Sequence, residues 1–248
     1  LLKSVQDNLS RNVNNIALYE GGVVFRSGAE GSKAKEIERI AGVLSGSMHE
    51  QAWNVDEQAF DFFDIKGVVE NVLEHLNVKK IRFKEADPQK YGQLQPGRCA
   101  EVFSAGNLLG WLGEIHPKAL EVLDIDQSVC AFELDMRALI SSYNRIKDGL
   151  EIGIFPAANM DVAFLVDKDI SYEHISNVIN SAGGKLLESA HLFDIFEDDK
   201  KLGAGKKSMA FKLTYRALDH TISSEELEKT HSRLVKKVCG ALKAELRS

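Results

Sequence analysis

The sequence contains no apolar run approaching the roughly 18–20 residues that a membrane-spanning helix needs, which argues against a helical membrane protein. Cysteine is scarce: Cys99, Cys130 and Cys239 lie far apart, are odd in number and include no CxxC pair. That pattern excludes a disulfide framework and points to a reducing, cytoplasmic compartment with buried thiols. The seven histidines show neither HxxxH nor HExxH spacing, so no metal centre is expected. The opening residues LLKSVQDNLSRN have no basic stretch before an apolar core and no small-residue cleavage site, so no secretory signal is expected. The chain also lacks an initiating Met and opens inside a helical pattern, as a piece of a longer protein would. Finally, there is no surplus of positive charge. The 31 Lys and Arg are outnumbered by 37 Asp and Glu, for a net charge of −6.

What is present is the composition of a soluble globular protein, 44% apolar and 27% charged over 248 residues, enough for one large domain or two modest ones. The charge is uneven. From Glu151 onward 14 basic residues face 15 acidic ones, against 17 and 22 before it. Within that later part, Lys200, Lys201, Lys206, Lys207, Lys212 and Arg216 occupy one stretch that contains no acid. Attraction to nucleic acid depends on such local charge rather than on the total, although a solvated basic hairpin has the same composition.

The order of elements separates two regions. Leu2, Val5, Leu9, Val13 and Ile16 have helical spacing. Strands are expected at Ile16–Gly28 and Ile37–Met48, followed by a helix capped by Asp64 with the stripe Ile65, Val68, Val69, Val72, Leu73 and Leu76. A hairpin about Ala105-Gly106-Asn107, a short helix opened by His116-Pro117 and a strand at Phe132–Met136 complete an α+β domain on an antiparallel sheet, residues 1–148. After the loose stretch SSYNRIKDGLEIG, the chain restarts at Phe155. The strand DVAFLVD leads to a helix beginning at Ser171 and ending at Gly183-Gly184. The strands LLESAHLFDIFED and KSMAFKLTYRA follow, joined by DDKKLGAGK. A long helix with a Ser223/Glu226 capping box and a last strand in AELRS close the chain. This is the βαββαβ order of a ferredoxin-like domain, residues 149–248.

Both helices of that fold cover one sheet face and leave the other available to unpaired bases. In KSMAFKLTYR, alternation sends Met209, Phe211, Leu213 and Tyr215 one way and Ser208, Lys212, Thr214 and Arg216 the other. The second set is assigned to the open face. A merely solvated face has the same pattern.

The segments FPAANMDVAFLV, LLESAHLFDIFED and KKSMAFKLTYRALDHTISSEELEKTHSRLV resemble the ferredoxin-fold anticodon-binding domain that ends the beta subunit of bacterial phenylalanine–tRNA ligases. Upstream, LLKSVQDNLSRN, DFFDIKGVVENVL, QPGRCAEV and LGWLGEIHP resemble that subunit's class II synthetase-like module, in the same order. The resemblance implies a non-catalytic module over residues 1–148 that supports a catalytic alpha subunit. It also implies an anticodon-binding domain for phenylalanine tRNA over residues 149–248, in an α2β2 enzyme that uses ATP and magnesium, neither bound by this part. The open-face set and the acid-free basic stretch, with Phe155 at the restart, give Phe155, Lys206, Lys207, Ser208, Lys212, Thr214 and Arg216 as the candidate RNA contacts. Two departures bear on this: the family usually has basic residues where Asn159-Met160 stands, and His where Gln95 stands. A Gln cannot titrate, which excludes a protonation role there.

The residues of the first domain agree with a non-catalytic reading. Amino-acid activation needs fixed cations on the triphosphate of ATP, and none of Arg11, Arg26, Arg39, Arg82, Arg98, Arg137 or Arg145 stands in a Gly-rich frame or an Arg-x-Glu strand pair. Asp61 and Asp64 form a possible carboxylate pair, but cap duty before a helix is the simpler role. Glu114 and His116 flank one residue of a strand and are not expected to act as an acid–base pair. Lys229, Arg233, Lys236 and Lys237 share a helix face, either for tRNA or for solvent. A second reading of the last domain stays open: a small-molecule-sensing or oligomerisation module, with a ligand near Gly183-Gly184.

Overall fold

The computed structural model describes residues 1–27, 33–49, 52–145 and 154–247, and the chain divides into two compact units, Leu1–Asp148 and Gly149–Ser248. The Gly28 strand stop and most of the segment between the units lie outside the described residues.

The N-terminal unit is built on a six-stranded antiparallel sheet in the order β1-β2-β6-β5-β4-β3. Its strands are β1 (Ile16–Arg26), β2 (Lys35–Ser45), β3 (Ile81–Glu85), β4 (Leu94–Ser104), β5 (Asn107–Ile115) and β6 (Val129–Asp135). Helices α2 (Phe62–His75) and α4 (Met136–Ser142) bury Ile65, Val69, Leu73 and Leu139 with Leu112, Phe132 and Leu134 of the sheet. A second core gathers Val5 of α1 (Leu2–Leu9) and Leu120 of α3 (Pro117–Glu121) with Val43, Ala131 and Ile115.

Local chemistry explains most boundaries, including those that differ from the sequence expectation. Helix α1 stops at Leu9, and Asn12 adopts a left-handed φ of 61°. Val13 and Ile16 therefore leave the helix, and Ile16 opens β1 as a buried residue. Strand β2 ends at Ser45, before Gly46 turns the chain with a φ of 83°. The cap of α2 is Asp61, not Asp64. The Asp61 carboxylate accepts from the backbone N–H of Phe63 at 2.7 Å, and the Asp64 carboxylate accepts from that of Asp61 at 2.8 Å. The two acids thus hold a helix end. The β4–β5 hairpin pairs Ser104 with Asn107 across Ala105 and Gly106, whose φ angles of 48° and 89° are those of a type I′ turn. His116 Nδ1 accepts from the N–H of Lys118 at 3.1 Å and caps α3. Glu114 instead receives Arg98 Nη1 at 2.9 and 3.0 Å, so the two do not form an acid–base pair.

Two elements of this unit have no counterpart in the sequence expectation. Strand β3, IRFKE, is a short edge strand whose charges interrupt any apolar run. Helix α4 begins where β6 ends because the Asp135 side chain accepts from the N–H of Ala138 at 3.0 Å.

The C-terminal unit runs β7 (Ala158–Asp167), α5 (Tyr172–Gly183), β8 (Leu187–Phe196), the short α6 (Asp199–Leu202), β9 (Lys206–Tyr215), α7 (Ser224–Leu242) and β10 (Glu245–Leu246). Its sheet order, β10-β7-β9-β8, with every neighbouring pair antiparallel, is the ferredoxin-like βαββαβ arrangement. Ser171 and Ser223 cap α5 and α7 by accepting from the N–H groups of His174 and Glu226, each at 3.2 Å. The Glu226 carboxylate does not fold back on the cap; it pairs with His220 Nε2 at 3.0 Å. Gly184, at a φ of 65°, ends α5. The core places Ile175, Ile179, Leu234 and Val238 of the two helices on Phe164, Phe211, Leu213 and Tyr215. Both helices therefore pack against the same sheet face.

Candidate nucleic-acid interface

The sheet face turned away from α5 and α7 follows from the ladder register. Across β7 and β9 it carries the pairs Asn159–Thr214, Asp161–Lys212, Ala163–Ala210 and Leu165–Ser208. Strand β8 adds Ser189, His191, Asp194 and Phe196 opposite Thr214, Lys212, Ala210 and Ser208. The alternation read in β9 holds on the covered side: Met209, Phe211, Leu213 and Tyr215 are all fully buried. On the open side Lys212 is exposed, directly between Asp161 and His191, which are also exposed. Thr214 is half-buried and donates from Oγ1 to Asn159 Oδ1 at 2.9 Å, so Asn159 organises the end of the face.

The other residues expected at the site behave differently. Lys206 pairs with Asp167 at 2.9 Å, and this contact raises its ammonium pKa. Lys207 stands opposite Val166, which is in the covered core, and so turns toward the helix side. Arg216 donates from Nε to both oxygens of Glu188 at 3.0 and 3.1 Å and from Nη1 to the carbonyl of Phe155 at 2.8 Å. Arg216 and Phe155 are thus brought together, but as a brace between the start of the unit and β8. Ser208 faces the open side as its register requires, yet it is only 3% exposed.

The burial of Ser208 points to residues that sequence reasoning missed. Phe196 is its ladder neighbour, and the Arg247 guanidinium lies over the Phe196 ring, 4.8 Å from its centre. Lys201 Nζ lies 5.7 Å from the same ring. Arg247 is anchored across the sheet, where its N–H donates to the carbonyl of Ala163 at 3.0 Å. A β-bulge between Leu192 and Asp194 leaves Phe193, 53% exposed, outside strict alternation. A bulge of this kind gives no signal in the period of the sequence, which is why the aromatic residues of β8 were not placed.

Behind the face, the Tyr215 hydroxyl lies 3.1 Å from His231 Nδ1 of α7. Burial pushes the Tyr215 phenol up to about 12 and holds His231 below the usual imidazole range, so it favours the neutral form of both groups.

In the N-terminal unit, Arg39 is held by Asp135 at 3.1 Å and lies 3.7 Å from Glu133, at the wall of a largely apolar cavity of about 670 Å³. Burial pushes the Cys130 thiol up to about 12, and the three cysteines are unpaired. Among the described residues, no group of three or more His, Cys, Asp or Glu side chains is placed to hold a metal ion. Among those residues, too, no helix is long and apolar enough to cross a membrane.

Fold and site together define an α+β chain whose last unit is a ferredoxin-fold domain with a polar, partly basic open sheet face. Residues 1–136 match the family model of the phenylalanyl tRNA synthetase beta chain CLM domain, and residues 153–247 match that of the ferredoxin-fold anticodon binding domain. The chain belongs to the phenylalanyl-tRNA synthetase beta chain family. It is 38% identical over 248 residues to the phenylalanine–tRNA ligase beta subunit of Bacillus subtilis, and 35% identical over 247 residues to that of Syntrophotalea carbinolica. In both matches the alignment takes in 100% of this chain and 30% of the relative, so the chain spans under a third of their length. Among solved structures, a pyrrolysyl-tRNA synthetase from Desulfitobacterium hafniense aligns over 56% of this chain and 45% of its own, at 13% identity and a TM-score of 0.42. That likeness is too low to carry an argument.

Proposed function

We propose that this chain is the C-terminal part of a phenylalanine–tRNA ligase beta subunit, in which the C-terminal unit grips the anticodon region of phenylalanine tRNA and the N-terminal unit supports a catalytic alpha subunit. The observation that carries the first half is the open sheet face, with Lys212, Thr214, Asn159 and His191 turned from the helices. Unpaired bases can stack and hydrogen-bond on such a surface, while Lys212 attracts phosphate. Lys212→Ala should weaken binding of the anticodon stem-loop and reduce the slope of log affinity against log salt by about 0.7–0.9 for the lost contact. Arg216→Ala should also weaken binding but keep the slope, because its charge is already matched by Glu188. Filter binding across a salt series checks both. An unchanged Lys212→Ala affinity removes the open face from the reading and favours a module that binds no RNA.

The second half rests on β1, the edge strand of the six-stranded sheet, where Tyr19 is 80%, Phe25 67% and Val23 46% exposed. A long edge that displays large apolar side chains calls for a covering partner, here the alpha subunit, in an α2β2 assembly of the cytoplasm. ATP and magnesium would then act on the alpha subunit, since Arg39 and Arg98 of this unit are matched by carboxylates. Phenylalanine-dependent pyrophosphate exchange should be absent with this chain alone and appear only when alpha is added. Exchange by the chain alone would overturn the division of labour.

A further inference from the structure

The open face carries an arginine that is held by an aromatic ring and not by a carboxylate. Lys206 is matched by Asp167 and Arg216 by Glu188, while Lys168 lies within reach of Glu197 and Asp199. Arg247 instead rests over an aromatic ring, 4.8 Å from the centre of Phe196, and is exposed to solvent. A guanidinium over a ring keeps its in-plane N–H donors available, because the ring occupies only its face. A guanidinium also offers a flat cationic surface of the kind on which unpaired bases stack.

We infer that Arg247 is an RNA-binding residue of this face: with Phe196 beneath it, it forms a layered platform that stacks an unpaired base and donates to a neighbouring phosphodiester. The inference rests on the open-face reading and deepens it. Three observations converge on the placement. The backbone of Arg247 is fixed by its hydrogen bond to the Ala163 carbonyl at 3.0 Å, so the side chain starts from the sheet and not from a loose tail. Ser208, the ladder neighbour of Phe196, is only 3% exposed, as a residue under this layer would be. Lys201 Nζ, 5.7 Å from the same ring and 4.0 Å from the Asp198 carboxylate, adds a second cation, and Phe193, exposed at the bulge, lines the same cavity as Arg247. The platform therefore brings together two features of single-strand recognition, a stacking surface and phosphate-directed charge.

The test compares Arg247→Ala, Arg247→Lys and Lys212→Ala with the unaltered chain, using the phenylalanine tRNA anticodon stem-loop over a salt series. Arg247→Ala should weaken binding about 5- to 20-fold, as expected for loss of one stacked base and one phosphate contact, and lower the salt slope by about 0.7. Arg247→Lys should restore the slope but less than half of the lost affinity on a logarithmic scale, because an ammonium offers charge without a stacking plane. Affinity that is unchanged or higher in Arg247→Ala overturns the inference and makes the residue a bystander or a shield over Phe196. If that result accompanies weakened binding by Lys212→Ala, the open-face reading stands without Arg247. No binding by the unaltered chain overturns both. Placement is checked without RNA by Ser208→Cys: thiol labelling at 208 should be several-fold faster when Arg247→Ala is added. Equal rates would show that Arg247 does not cover this part of the sheet.

Discussion

Phe211→Ala should lower the unfolding free energy of the C-terminal unit by about 3–5 kcal/mol, among the largest losses available to a single substitution in this chain. Phe211 stands in the middle of β9, between β7 and β8, and is 0% exposed. Its ring centre lies 6.3 Å from that of Phe164 and 6.4 Å from that of Tyr172, the latter nearly parallel at 10°. Truncation removes the buried ring and leaves a cavity between the sheet and α5, in a domain whose whole stability is of the order of 5–15 kcal/mol. Thermal melting should fall by more than about 10 °C. The open face would lose its support from behind, so RNA binding should fail at the temperature where the melt begins and not before. Lys212→Ala provides the contrast. It should stay within about 0.5 kcal/mol of the unaltered stability and act on binding alone. A Phe211→Ala loss below 1 kcal/mol, by urea denaturation, would contradict the packing described.

The second large effect is expected at Gly110. This residue lies in β5, in register with Leu134 of β6 and Val102 of β4. A Cβ placed there would meet the Glu133 carbonyl oxygen at 2.0 Å and the Leu134 Cα at 2.8 Å. Both atoms are backbone, so no side-chain rotation relieves the clash and the central strands of the sheet must separate. Gly110→Val should therefore cost about 3 kcal/mol or more in the N-terminal unit. The control is Gly22→Val, where a Cβ meets nothing within 4 Å. Its melting temperature should stay near that of the unaltered chain. Similar melting of the two variants would show that the strand spacing around Gly110 is not as tight as the geometry requires.

These two positions mark how far the sequence can be read. Phe211 was legible: its alternation with Met209, Leu213 and Tyr215 identifies the core side of β9 without any neighbour being known. Gly110 was not, because the need for glycine arises from the backbone of β6, more than twenty residues away. The same division runs through the rest of the fold. The Ala105-Gly106 turn, the Ser171 and Ser223 caps and the Gly184 helix end are local agreements between residue type and backbone, and each was read correctly. The extent of α1, the choice of Asp61 over Asp64, the Glu226 half of the α7 capping box, and the existence of β3 and α4 were misread or missed.

At the candidate interface the pattern of β9 determined which side chains turn from the helices. It could not tell which of them remain available. Ser208 satisfies the alternation and is yet buried, with Phe196 of β8 as its ladder neighbour and the Arg247 guanidinium over the Phe196 ring. Arg216 lies in the acid-free basic segment and yet is neutralised by Glu188, 28 residues earlier. The sequence by itself determined the two-part order of elements, the ferredoxin-like succession and the covered side of its sheet, since those depend on periodicities of two and 3.6 residues along one strand or helix. Only the tertiary structure decided which cations are matched by carboxylates, which lie over aromatic rings and which face solvent. Charge pairing and occlusion depend on strand neighbours and register, and these bring together residues whose separation along the chain carries no periodic signal.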